Sequence, residues 1–91
     1  MLAVEWSAAT RHDLADIFDY VWQRNPDAAT ELRADIVKAA ESLTEHPFLY
    51  RKGRVAGTRE AVVHPNYIVI HRVGSGIVSV LRVLHSARQY P

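Results

Sequence analysis

Residues 67–73, Tyr-Ile-Val-Ile-His-Arg-Val, and residues 77–85, Ile-Val-Ser-Val-Leu-Arg-Val-Leu-His, flank Gly74-Ser75-Gly76. Two runs rich in β-branched residues around a tight glycine turn specify an antiparallel hairpin. A three-residue loop at 74–76 pairs Val73 with Ile77 and places residues of equal parity on one face. One face then carries Ile68, Ile70, Arg72, Val78, Val80, Arg82 and Leu84. The other carries Tyr67, Val69, His71, Val73, Ile77, Ser79, Leu81, Val83 and His85. The first is richer in branched aliphatics, so we assign it to the core and leave the second open to a ligand. Arg72 and Arg82 then either reach past the edge or pair with carboxylates such as Glu41 or Glu60, since a buried arginine needs a partner.

Working back from the hairpin, His64-Pro65-Asn66 reads as a turn and Glu60–Val63 as a further strand. Residues 48–58, with two glycines and three bases, read as a loop. Before Pro47 the period changes to that of helices. Leu14, Ile17, Phe18 and Val21 form one apolar stripe; Ala29, Leu32, Ile36, Ala40 and Leu43 form a second. Ser7 is a candidate N-cap for the first helix, and Asn25-Pro26 marks the boundary between the two. Asp13, Asp16 and Asp19 lie largely off the first stripe and read as solvated. Two helices of about 18–20 residues joined by so short a link form an antiparallel hairpin. Residues 2–6 suit a short strand. The order is β-α-α-β-β-β: an α+β domain spanning 1–91, with the helical hairpin packed on one face of a mainly antiparallel four-stranded sheet.

The 91-residue chain has no cysteine, which excludes a disulfide scaffold and a Cys-based zinc module. Its histidines, His12, His46, His64, His71 and His85, show no paired-ligand spacing, so neither a metal nor a cofactor is expected. No apolar run approaches the ~20 residues that span a bilayer, and a cytoplasmic protein is expected. The net charge of +1 conceals an asymmetry: residues 1–46 carry nine acids and four bases, and residues 47–91 seven bases and one acid, Glu60. Such a split fits either an anionic partner for the basic half or attraction between the halves.

Several of these segments carry a resemblance. Val4-Glu5-Trp6-Ser7, Asp13-Leu14, Ile17, Asn25-Pro26, Gly53-Arg54, Gly57-Thr58-Arg59-Glu60, Tyr67-Ile68-Val69, Arg72-Val73 and Leu81-Arg82-Val83-Leu84-His85 stand in an order that resembles the RelE/ParE superfamily of bacterial toxins from type II toxin–antitoxin systems. The likeness covers nearly the whole chain and implies the same element order. It implies a growth-arresting toxin, of the kind associated with plasmid stabilisation, held in a hetero-oligomer by a cognate antitoxin. RelE-like members are ribosome-dependent mRNA endonucleases, whereas ParE-like members lack that nuclease site and inhibit DNA gyrase. The segments 45–50, 57–60 and 64–68 look closer to the ParE-like branch.

Two sets of site residues follow. Cleavage by attack of the RNA 2′-oxygen needs a base, an acid and cations on the phosphate. His85, Arg59 and Tyr90 are the catalytic candidates under a RelE-like reading, on the premise that a strand end beside the glycine-rich loop converges on one point. Arg51, Lys52, Arg54, Arg59 and Arg88 are candidates for contact with nucleic acid or another target. A net charge of +1 is small for docking against dense ribosomal phosphate, which favours gyrase over the ribosome and mRNA. Phe18 and Trp22 are the candidate antitoxin contacts, since an apolar patch on a helical hairpin suits an amphipathic helix.

Overall fold

The computed structural model describes residues 2–87. Seven elements follow in order: β1 (Ala3–Trp6), α1 (Ala8–Trp22), α2 (Pro26–Ser42), β2 (Arg51–Lys52), β3 (Arg59–His64), β4 (Tyr67–Val73) and β5 (Ile77–His85). The strands form one sheet in the order β1-β5-β4-β3-β2. β1 runs parallel to β5 and every other pair is antiparallel. The α+β class and the helical hairpin on one face agree with the sequence; the strand count does not. The fifth strand is a two-residue piece inside the segment read as a loop. It is too short and too polar to show a period, and its register opposes Arg51 to Glu60, which Arg51 Nη2 reaches at 3.0 Å.

Local capping sets the helix starts. Ser7 Oγ accepts the Thr10 N–H at 2.9 Å, and Asn25 Oδ1 accepts that of Ala28 at 3.1 Å with Pro26 in the first turn. The helices span 15 and 17 residues, shorter than the stripes suggest, because each closes in a tight turn, at Gln23-Arg24 and at Leu43–Glu45. Ala29, Leu32, Ile36 and Ala40 are buried along α2. Leu32, Ile36 and Ala40, together with Ala61, Tyr67, Val69, Val80 and Val83 of the sheet, make the main core, and Leu14, Ile17 and Val21 of α1 pack against it.

This core inverts the expected faces of β4 and splits those of β5. The β4–β5 turn holds two residues, Ser75 and Gly76: Val73 pairs with Val78, Gly74 N donates to Ile77 O at 2.8 Å, and Gly76 adopts φ +75°. Further along, Ile70 pairs with Arg82 but His71 with Val80, so Leu81 is an extra residue, a β-bulge. Parity changes across it. Val78 and Val80 before the bulge, and Val83 and His85 after it, all lie with Tyr67, Val69 and His71 on the helical side. Ile68, Ile70 and Leu84, with Leu81, make a smaller apolar cluster on the opposite face.

One face of α1 holds the bulge in place. Ser7, Thr10 and Asp13, spaced three apart, meet backbone groups of the bulged segment. Ser7 Oγ donates to Leu81 O, Thr10 Oγ1 donates to Val80 O, and Asp13 Oδ2 accepts from Val83 N. Asp13 also takes Arg82 in a bidentate pair, Nε to Oδ2 at 2.7 Å and Nη2 to Oδ1 at 2.9 Å. Asp13 is therefore structural rather than solvated, and it, not Glu41 or Glu60, is the partner of Arg82. That bond holds the guanidinium above its ordinary pKa.

Candidate functional site

The bulge delivers His85 to a groove on the helical side of the sheet. His64, Tyr67 and His85, from three adjacent strands, stand in a row: the Tyr67 ring lies 5.8 Å from that of His64 and 5.3 Å from that of His85. His64 Nδ1 accepts from Asn66 N at 3.0 Å, and His85 Nδ1 accepts from Ala87 N at 3.1 Å. In the neutral rings the proton is thus on Nε2. Asp16 and Tyr20 of α1 and Ala28 and Leu32 of α2 complete a groove of about 680 Å³. Burial, and then the neighbouring Tyr20, raise the Tyr67 pKa, so Tyr67 stays a neutral phenol.

The predicted cations lie elsewhere. Arg59 pairs with His71 in the sheet, whereas His85 pairs with Tyr67. Four residues of extended strand separate those positions, about 13 Å. His85 and Arg59 therefore do not converge, because the glycine-rich loop flanks the opposite end of β4. Tyr90 and Arg88 lie outside the described residues.

Among the cations at that end, Glu60 divides the labour. Its carboxylate, only 2 % exposed, accepts from Arg51 Nη2 at 3.0 Å and Arg54 N at 3.1 Å, with Arg54 Nε 3.7 Å away. Arg51 and Arg54 thereby hold the loop together. Arg59 Nη1 donates to Tyr50 O at 2.8 Å, and its guanidinium lies 4.9 Å from the Phe48 ring centre. Lys52, Arg59 and Phe48 line a pocket of about 380 Å³ with Gly53 and residues 55–58. Asp13 with Arg82 is an ion pair that joins the acidic and basic halves.

Phe18 and Trp22 stack at 5.5 Å on α1, and Trp22 is 46 % exposed. Beside them, Arg11 and Arg33 flank a shallow groove floored by Leu14, Ala15 and Phe18. The sequence places Tyr67 and His85 on one face of the hairpin but gives no sign that Tyr20 and His64 join them, since those come from other elements; only an aromatic beside the basic residues of the loop hints at Phe48. No group of three or more His, Cys, Asp or Glu that would hold a metal occurs among the described residues.

His71, read from the sequence as ligand-facing, is fully buried in the core instead. It meets the Tyr50 ring edge-on at 6.1 Å, and neither ring nitrogen has a hydrogen-bond partner. The Val69 backbone comes near and favours the proton, but outside hydrogen-bond geometry; burial and then the Arg59 charge hold the imidazole below its ordinary value of 6.5. The unfolded chain therefore takes up a proton, as pH falls through about 6.5, that the folded chain refuses. Stability is full above that pH and declines below it. Thermal melts from pH 7.5 to 5.5 should show this decline, and His71→Leu should flatten it while melting no lower than the parent at pH 7.5. An unchanged slope in His71→Leu would assign the effect to other groups.

Comparison with known proteins agrees with this architecture. The family described as the ParE toxin of type II toxin–antitoxin systems, parDE, matches residues 4–90. The chain is 38 % identical over 90 residues to Toxin RelE2 of Caulobacter vibrioides, covering 97 % of this chain and 99 % of that one. Its fold is similar to that in the chromosomal ParDE system of P. aeruginosa, with TM-score 0.82, 22 % identity and 93 % and 96 % of the two chains covered. It is also similar to the toxin–antitoxin complex RelBE2 of Mycobacterium tuberculosis, with TM-score 0.66, 23 % identity and 92 % and 96 % covered.

Proposed function

The chain belongs to the ParE toxin family of type II toxin–antitoxin systems, and from that premise we propose that it arrests growth by binding and inhibiting DNA gyrase. A cognate antitoxin neutralises it in the cytoplasm. One observation carries the choice of target. The groove that holds His85 is lined by Asp16 and, among the described residues, by no arginine or lysine. A phosphodiester entering it would meet a carboxylate, while the cations needed to stabilise a crowded phosphate sit at the far end of β4. A binding toxin needs no such convergence.

The competing reading, a ribosome-dependent endonuclease, has one observation in its favour. His85 and His64 each present an Nε2 beside Tyr67, and these residue types suit proton transfer. The two readings separate on induction of the toxin, with DNA and protein synthesis pulse-labelled over the first minutes. Inhibition of gyrase gives a fall in DNA synthesis first, filamentous cells, and a His85→Ala chain as toxic as the parent. Early loss of translation, abolished in a folded His85→Ala chain, would establish the nuclease instead.

For the antitoxin, the Phe18–Trp22 stack and the arginine-flanked groove beside it offer an apolar seat for an amphipathic helix. The outer edge of β1, with β5 on its other side, offers backbone groups for strand addition.

A further inference from the structure

The basic loop is not used by the groove at His85, and among the described residues no acid of the helices pairs with its Lys52 or Arg59. We infer that the pocket formed by Phe48, Lys52 and Arg59 binds one nucleotide of a single-stranded nucleic acid, with the phosphate on Lys52 and Arg59 and the base on Phe48. Four observations point to that chemistry. The pocket, about 380 Å³, is of a size to admit a nucleotide and has no acidic side chain in its lining. Glu60, the acid nearest in sequence, turns its buried carboxylate to Arg51 and Arg54. No carboxylate pairs with Lys52 or Arg59 among the described residues. Phe48 is 64 % exposed although Arg59 lies over its ring, so a large part of its surface remains open for stacking.

The loop is built to keep this shape. Gly53 N donates to Thr58 O at 2.7 Å, and a Cβ on Gly53 would collide with Thr58 Oγ1. Gly57 takes φ +81°, which a side chain would strain. Arg59 is pinned by Tyr50 O. An exposed aromatic beside a pinned arginine and a lysine suits single strands, stacking supplying sequence-tolerant affinity and cations the salt dependence.

The inference does not depend on the choice between gyrase and ribosome, and its test is separate. The full chain, freed of antitoxin, is titrated with fluorescent oligomers of eight thymidylates or eight uridylates at 50–200 mM salt. Saturable, salt-dependent binding is expected. Phe48→Ala should weaken it about tenfold. Lys52→Gln should lower the slope of log K against log salt by about 0.7. Leu49→Ala, an equally exposed apolar neighbour outside the pocket lining, should leave it unchanged, and melting temperatures verify that each variant is folded. Tighter binding of thymidylate assigns the site to DNA, tighter binding of uridylate assigns it to RNA, and either supports the pocket. Three results overturn it: no salt-dependent binding of either oligomer, equal weakening by Leu49→Ala and Phe48→Ala, or displacement by a glutamate-rich peptide of equal charge as effective as by thymidylate. If binding fails while DNA synthesis still falls first on induction, the pocket is wrong and the gyrase reading stands.

Discussion

An Asp13→Ala chain should lose about 3 kcal/mol of stability and melt roughly 12–18 °C below the parent. Three hydrogen bonds end on that carboxylate, two from the Arg82 guanidinium and one from Val83 N. The Arg82 side chain is 41 % exposed and recovers much of its hydration, which keeps the value below that of a fully buried pair. Val83 N is different. It belongs to the strand just past the bulge, and without Asp13 it loses its side-chain acceptor. Asp13→Asn keeps an oxygen for Val83 N but loses the charge, so it should fall midway. Arg82→Ala should do less harm than Asp13→Ala, since it leaves the Val83 bond intact. A drop under about 3 °C in Asp13→Ala would show that α1 does not hold the bulge.

The same bulge explains how far the sequence could be read. The helix starts are legible because capping is local: Ser7 and Asn25 act on amides three residues ahead. The strands are legible from composition. The faces are not, because the turn holds two residues rather than three and one extra residue at Leu81 then reverses alternation again, and the groups that stabilise the bulge lie 70 or more positions from their partners in sequence, at Ser7, Thr10 and Asp13. The error spreads from there. His71 is a core residue, Arg82 a tether to α1, and His85 reaches the helical side only because parity changes before it. In the basic loop the residue types are evident in the sequence, but their roles are not. Glu60 takes Arg51 and Arg54, leaving Lys52 and Arg59 to line the pocket, and that division depends on a two-residue strand no periodicity reveals.

Glu60 therefore offers a test in which two effects have opposite signs. Replacing it by Ala removes the acceptor of Arg51 Nη2 and Arg54 N, vacates a buried site and leaves two guanidinium groups with no carboxylate between them. Stability should fall by about 2 kcal/mol, discounted because the Arg51 side chain is 60 % exposed. The damage should be local. The amides of Gly53 and Thr58, which close the loop on Thr58 O and Val55 O, should exchange at least tenfold faster, while those of α2 keep their protection relative to global unfolding. The same change raises the net charge from +1 to +2. Were oligonucleotide binding a matter of overall charge alone, Glu60→Ala would bind more tightly. A pocket whose loop is closed by the Glu60 bridge to Arg51 and Arg54 predicts weaker binding despite the added charge, with Glu60→Gln, which retains an oxygen for Arg54 N, between the parent and Ala. Tighter binding by the Ala variant would reduce the loop to a diffuse positive patch, and unchanged exchange at Gly53 and Thr58 would show that β2 closes without Glu60.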